Sequence, residues 1–272
     1  MRSWSVSSIR SFHSCQLAWW FQRTGVAAEF KPLPLVEGTA IHAAIEQHLL
    51  GLRDGGGPSE EEGVELLRAS YFAEEAGGAI RYGQKEHGEI LDRLANLYLH
   101  WRRTLELDGE IVAVEQEILV ELPGLDLPLR GYADLVLRTA NGDTVVDFKC
   151  TAARPSTDPL MDPLDLQKLA MTRGWEAKSG RAVASWRWEH LVKTKAPVVV
   201  DVDHPVQDAD RRGDLARLAA VVNPTLRLMD AVLAGKLDPV PTQAPFAMCG
   251  SCPWRSTCVT CYREPRRAMA IG

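Results

Sequence analysis

The chain has 272 residues, of which 46% are hydrophobic and 25% charged, and its formal net charge is −5. This composition is that of a globular protein and does not indicate a uniformly basic nucleic-acid binder. No apolar run approaches the roughly 20 residues that cross a bilayer, and no signal peptide is visible, so we expect a cytoplasmic protein with reduced thiols and no membrane partner. The sequence also contains no G-x-x-x-x-G-K-[ST] loop, which excludes a recognisable ATPase motor.

The first part of the chain is predicted to be helical. The stretch WSVSSIRSFHSCQLAWWFQR has apolar residues at helical spacing behind a serine N-cap. Pro32 and Pro34 mark an extended connector, and EGTAIHAAIEQHLL predicts a second helix that ends at Gly51. After an acidic loop, residues 60–108 are predicted to be mostly helical.

From residue 111 the pattern becomes strand-like. IVAVEQEILVEL, LRGYADLVLRT and TVVDFKC predict three consecutive strands, with Asn141-Gly142 as the hairpin turn between the last two. A helix around 164–178, strands at VASWRWEHLVKT and APVVVDV, and a helix over 209–234 follow, before a coil rich in proline and cysteine. This order predicts an α/β fold with a mixed central sheet flanked by helices.

Two acidic residues interrupt these apolar strands. Asp147 and Lys149 are two residues apart and therefore face the same side of their strand, whereas Cys150 faces the core. Asp134, on the preceding strand, is expected as a diagonal neighbour of Asp147. Carboxylates suit Mg²⁺ or Mn²⁺, and a lysine beside them can orient the attacking water and stabilise developing charge. Taken alone, a D-x-K triplet is more often a solvated strand edge.

Three segments resemble the first three motifs of the PD-(D/E)XK nucleases: Gly38–His42, Gly131–Asp134 and Val145–Lys149. The resemblance is to the RecB-like branch with an iron–sulfur cluster, which includes the AddB nuclease domain, CRISPR-associated RecB-like exonucleases and phage-borne members. It implies a restriction-endonuclease-like core. The implied site has His42, Asp134 and Asp147 as ligands of Mg²⁺ or Mn²⁺, the Phe148 carbonyl as a further ligand, and Lys149 as the catalytic lysine.

Two of these positions allow other interpretations. By itself, His42 in an alanine-rich helix is more often a packed or paired residue than a metal ligand. The family also carries a Q-x-x-x-Y motif on the next helix, for which the chain supplies Gln167 but has Met171 at the tyrosine position. Gln167 is therefore a candidate for contacting the substrate or orienting Lys149, and Met171 removes the expected tyrosine contact.

Four cysteines near the C-terminus have the spacing C-x₂-C-x₅-C-x₂-C: Cys249, Cys252, Cys258 and Cys261. They could close a tetrahedral zinc site by themselves, with Cys15 as a small buried residue. The resemblance instead implies a [4Fe–4S] cluster held by Cys15 and the first three of the four. We favour the cluster because Cys15 falls within the N-terminal pattern of the family, and such a cluster would join the two ends of the chain.

We therefore expect one PD-(D/E)XK domain over residues 1–272, with a helical insertion at 51–110 and the iron–sulfur segment at 236–272. The expected function is a metal-dependent DNA exonuclease that acts on single-stranded ends in recombination, repair or end processing, either alone or with a helicase or recombination partner. The alternative is a catalytically weak DNA-binding or adaptor protein with a structural iron–sulfur or zinc site. The eight tryptophans are candidates for base stacking, although core packing is expected for most.

Overall fold

The computed structural model describes residues 3–83, 86–155, 166–206, 208–241 and 247–258. The described strands are β1 (Trp4–Ser5), β2 (Lys31–Pro32), β3 (Ile80–Arg81), β4 (Glu110–Val120), β5 (Leu129–Thr139), β6 (Gly142–Thr151), β7 (Val183–Val192) and β8 (Val198–Pro205). The described helices are α1 (Val6–Ser14), α2 (Gln16–Thr24), α3 (Leu33–Arg53), α4 (Glu60–Ala76), α5 (His87–Thr104), α6 (Leu166–Ser179), α7 (Asp208–Leu233) and α8 (Ala247–Gly250). Among the described helices, none combines the length and apolarity that a membrane crossing requires.

A six-stranded mixed sheet organises the fold. Strand β5 pairs antiparallel with both β4 and β6, and the short β1 runs parallel to the start of β5. Strands β6 and β7 are parallel, which requires a crossover connection, and this connection contains α6. Strand β8 closes the far side antiparallel to β7, while β2 and β3 form a separate parallel pair. The mixed sheet and flanking helices agree with the predicted α/β fold.

Apolar clusters cover both faces of the sheet. Along β6, Val145 belongs to one cluster, and Val146 and Phe148 belong to the other, as the alternation of strand side chains requires. The first cluster lies on the side of α1, α2, α6 and α7 and is called the α6 core. The second lies on the side of α3, α4 and α5 and is called the α3 core. Between residues 51 and 110 the structure has the end of α3, then α4, β3 and α5, in agreement with the predicted helices.

The N-terminal segment is two helices rather than one. Cys15 has an extended backbone (φ −163°, ψ 109°), which ends α1 and begins α2. Its sulfur accepts a hydrogen bond from the backbone N–H of Ala18 at 3.5 Å and so caps α2. Helix α3 begins at Leu33, before the predicted start, because Pro34 lies in the first turn, where a missing N–H costs little.

Candidate active site

Strands β5 and β6 bring the two predicted aspartates together. The hairpin pairs Thr139 with Gly142, so the turn lies one residue earlier than the sequence predicts. The paired part of the hairpin ends at Leu135 and Val146, so Asp134 and Asp147 are the next residue of each strand. The backbone N–H of Phe148 donates a hydrogen bond to Asp134 Oδ2 at 2.8 Å, which fixes the Asp134 carboxylate between the strands.

Lys149 and Gln167 both contact Asp147. The Lys149 ammonium forms an ion pair with Asp147 Oδ2, as expected for two side chains on the same face of β6. Gln167, in the first turn of α6, donates its amide N–H to Asp147 Oδ1. The other end of this amide accepts a hydrogen bond from Arg10 Nη1 at 3.2 Å. Asp147 is therefore held from two sides, by Lys149 and by Gln167.

His42 extends from α3 toward the same aspartates. Its Nε2–H donates to the Phe148 carbonyl at 3.0 Å, since a carbonyl can only accept. This tautomer leaves the Nδ1 lone pair 3.7 Å from Asp134 Oδ2, where it can bind a metal. Burial lowers the pKa of His42, which favours the neutral imidazole that metals require. The Phe148 carbonyl thus orients His42 before any metal binds.

Glu115 is a member of the site that the sequence analysis missed. Among the described residues, His42, Glu115 and Asp134 form a group whose ligand atoms all lie within 4.8 Å of one another. The neighbours of Glu115 in β4 pair with the neighbours of Asp134 in β5, so the two acids lie opposite each other. A signal for Glu115 was present in the sequence, because it is the first charged residue after the apolar run Ile111–Val114.

The carboxylates of this site repel one another in a buried environment. Burial, together with the charges of Asp134, Glu46 and Asp147, raises the pKa of Glu115 to about 8. Burial also raises the pKa of Asp134 and of Asp147, and in Asp147 the neighbouring Asp134 charge adds to the effect. A divalent cation would relieve this repulsion. Two carboxylates and one imidazole therefore fit Mg²⁺ or Mn²⁺ in their donor chemistry.

Met171 lies at the position where the family motif has tyrosine. Its side chain is buried in the α6 core. It also packs on Gly131 of β5, where an added Cβ would lie 2.6 Å from the Met171 sulfur. Met171 thus serves helix-to-sheet packing, and it supplies no hydrogen-bonding group to the aspartates.

The predicted cysteine ligands lie at a second location. Cys15, Cys249 and Cys252 line one pocket of about 350 Å³ between α1, α2 and the C-terminal segment. Cys258 is half-buried in the same segment, and Cys261 lies outside the described residues. The structure therefore brings Cys15 to two of its three predicted partners across more than two hundred residues of sequence.

Hydrogen bonds to the segment after α2 hold the cysteine segment in place. Trp254 Nε1 donates to the Val26 carbonyl at 3.0 Å, and the backbone N–H of Glu29 donates to the Pro253 carbonyl at 2.9 Å. The Glu29 carboxylate also accepts from Ser256. The three cysteines that line this pocket offer the sulfur donors that a soft metal or an iron–sulfur cluster takes.

Comparison with known proteins places this geometry in a family. A crystal structure of a protein provisionally named as an exonuclease, from Eubacterium rectale, is similar with a TM-score of 0.58 at 12% identity, over 89% of this chain and 85% of the other. A crystal structure of a protein named SSO0001 aligns over 93% and 94% of the two chains at 12% identity, with a TM-score of 0.34. No curated protein matches the chain. Residues 3–259 match the PD-(D/E)XK nuclease superfamily, and the chain belongs to this superfamily.

Proposed function

We propose that this protein is a DNA exonuclease that depends on Mg²⁺ or Mn²⁺ and acts on single-stranded ends. The observation that carries the proposal is the convergence of His42, Glu115 and Asp134 beside the Asp147–Lys149 ion pair in a member of a nuclease superfamily. The name of the structural relative from Eubacterium rectale supports action at ends. We propose that the enzyme acts in the cytoplasm, in recombination, repair or end processing. It would work either alone or with a helicase or recombination partner.

The metal ligands in this proposal are His42, Glu115, Asp134 and Asp147, with the Phe148 carbonyl as a further one. A divalent ion bound there would polarise the phosphodiester and the attacking water. In the hydrolysis, a bond forms between the water oxygen and phosphorus, the bond to one ester oxygen breaks, and that oxygen takes up a proton.

The side chains around Asp147 position the reacting groups. The Lys149 ammonium is available to orient the water and to stabilise the negative charge that develops on the phosphoryl oxygens. Gln167 keeps Asp147 in one orientation and is itself held by Arg10, so neither aspartate oxygen has to reorganise during the reaction.

For the second location we propose a [4Fe–4S] cluster with Cys15, Cys249, Cys252 and Cys258 as ligands. The pocket shared by the first three supports it. Its role would be structural, because it would join Cys15 at the end of α1 to the cysteines of the C-terminal segment. A zinc ion that uses Cys261 in place of Cys15 is the alternative, and the iron content of the purified protein separates the two.

A catalytically weak DNA-binding or adaptor protein is the second candidate function. The observation that favours it is Met171, which is buried in packing where the family motif has a tyrosine. In this case the folded site would bind metal and DNA without measurable hydrolysis.

Digestion of end-labelled DNA tests the proposal. Linear and circular single strands and linear duplex are incubated with Mn²⁺, with Mg²⁺ or with EDTA. We expect degradation of linear single strands with either metal, none in EDTA, and intact circles. Lys149→Ala should lose at least about 100-fold in rate, whereas the exposed Lys178→Ala, at the other end of α6, should retain wild-type activity. A Lys149→Ala variant with full activity overturns the proposal, and DNA binding without digestion by the wild type supports the adaptor.

A further inference from the structure

Strand β7 carries two ring side chains to the candidate active site. The register of the parallel pair sets Trp188 level with Asp147 and His190 level with Lys149. Register partners on neighbouring strands face the same side of a sheet. Both rings therefore lie beside the Asp147–Lys149 pair, although the chemistry described above assigns a role to neither.

Trp188 contacts the lysine directly. The Lys149 Nζ atom lies over the indole ring, 5.0 Å from the ring centroid. The same ammonium pairs with Asp147. A cation over the face of an indole is attracted by the ring quadrupole, and tryptophan is the strongest of the aromatic partners. One aromatic face and one carboxylate thus hold the lysine head group.

The indole ring is itself fixed by packing. Trp186 packs edge-on against Trp188, with 4.9 Å between ring centroids and 74° between ring planes. Trp186 is fully buried, and Trp188 is half-buried against the same α6 core. Base stacking requires an open ring face, whereas Lys149 already lies over the ring of Trp188. The arrangement therefore favours a role for Trp188 in holding Lys149 over a role in stacking on a base.

His190 completes the surroundings of the lysine without adding charge. Its Nδ1 atom is buried, with no hydrogen-bond partner among the described residues. Burial, and then the charge of Lys149, lower the pKa of His190, so the imidazole is neutral near pH 7. A neutral ring at this position does not repel the ammonium.

We propose that Trp188 is a positioning residue for Lys149, holding the ammonium beside Asp147 at the place where it meets the scissile phosphate. This inference rests on the proposed function, in which Lys149 acts in hydrolysis. The lysine side chain is 34% exposed, so without the ring its flexible stem has room to turn toward solvent. The effect belongs to the catalytic step and not to DNA binding.

Substitutions at position 188 separate positioning from stacking on substrate. With Trp188→Leu we expect kcat to fall about 10-fold while KM stays within about 2-fold of the wild-type value, as for a lost cation–π contact. Trp188→Phe keeps an aromatic face and should recover most of kcat. Trp20→Leu is the matched control, because Trp20 is also half-buried against the α6 core, and its kcat should be unchanged.

If Trp188→Leu does not fold, two aromatic rings of nearly equal shape can be compared at position 188 instead. Pentafluorophenylalanine at position 188 has nearly the shape of phenylalanine but a reversed quadrupole. It should have a lower kcat than Trp188→Phe at equal melting temperature. Equal kcat for the two rings, or a raised KM with unchanged kcat in Trp188→Leu, overturns the inference. Full activity of Lys149→Ala would instead reject the proposed function, so the two failures are distinguishable.

Discussion

At the scale of single residues, the backbone conformation of Glu115 sets the direction of its side chain. The residue has φ 46° inside β4, in the left-handed region that a side chain with a Cβ rarely occupies. Such a conformation is retained only where the surroundings compensate for it. Here it accompanies a carboxylate that faces Asp134 and His42. The strain is consistent with a residue selected for its position in a site rather than for strand stability.

Replacing this carboxylate should weaken metal binding specifically. We expect Glu115→Gln to lower Mn²⁺ affinity by at least about 10-fold, since one charged ligand is lost and the fold is retained. Isothermal titration of the purified protein measures this affinity. Glu117→Gln, two residues along the same strand and exposed, is the control that should bind Mn²⁺ as the wild type does. Unchanged affinity in Glu115→Gln would remove Glu115 from the ligand set.

The raised pKa values of the acids predict how stability depends on pH. In the folded protein the pKa of Glu115 is raised from 4.5 to about 8, and those of Asp134 and Asp147 are also raised. Because the pKa of each of these acids is higher in the folded than in the unfolded state, their contribution to metal-free stability is largest at low pH and falls as pH rises toward about 8. Melting curves in EDTA should show this fall.

Manganese should reverse the trend. Metal binding requires the deprotonated carboxylates, so the rise in melting temperature on adding Mn²⁺ should be larger at about pH 8 than at about pH 6. Glu115→Gln should show a smaller pH dependence in EDTA than the wild type. An equal response to Mn²⁺ at both values would argue against these carboxylates as the binding site.

At the scale of elements, the position of α6 depends on close contact with the sheet. A Cβ at Gly174 would lie 2.5 Å from Ile118 Cγ2 and 2.7 Å from Val120 Cγ2, both on β4. The helix therefore approaches the sheet at a point where only glycine fits. Because Gln167 lies on the same helix and contacts Asp147, this packing also sets the distance between α6 and the site.

Adding a methyl group at this contact should destabilise the protein. We expect Gly174→Ala to lower the free energy of unfolding by about 1–3 kcal/mol, since the branched side chains of β4 have little room to move. Gly88→Ala, in the first turn of α5 and with no heavy atom within 4 Å of the new Cβ, should stabilise by up to about 1 kcal/mol. Urea denaturation measures both. Equal stability of the two variants would contradict the packing argument.

At the scale of the whole molecule, α1 connects the two candidate sites. Arg10 on this helix reaches Gln167 and hence Asp147, and Cys15 at its end faces the C-terminal cysteines. One short helix thus carries Arg10, which supports the active site, and ends at Cys15, which lines the cysteine pocket. Loss of a metal at the cysteines would free the end of α1 that lies closest to the C-terminal segment.

Removing the N-terminal cysteine tests the proposed cluster. We expect Cys15→Ala to be colourless, to contain little iron and to melt at a lower temperature, because the segment that contains Cys249 and Cys252 loses its link to α1. Cys150→Ala is the matched control, since Cys150 is also half-buried but packs against the α3 core, and it should remain brown. Brown Cys15→Ala protein with normal iron content would reject Cys15 as a ligand.

The main helices and the five long strands follow from local sequence pattern, whereas the break at Cys15 and the short strands β1, β2 and β3 do not. The two-residue period of a strand placed Asp147 and Lys149 on one face, as the ion pair confirms. The motifs point to His42, Asp134 and the cysteines as candidates, and they predict the PD-(D/E)XK superfamily to which the chain belongs. The elements and the motifs can be read from the sequence because each depends on residues a few positions apart or on residue type alone.

Which distant residues meet depends on how the strands and helices pack. The pairing of β5 with β6 brought Asp134 and Asp147 to the end of the paired hairpin, and the pairing of β4 with β5 placed Glu115 opposite Asp134. The parallel pairing of β6 with β7 set Trp188 against Lys149 across a helical crossover. Register and packing depend on interactions between segments that are far apart in the chain. The distances between such segments are set by burial of the whole core and not by local propensity.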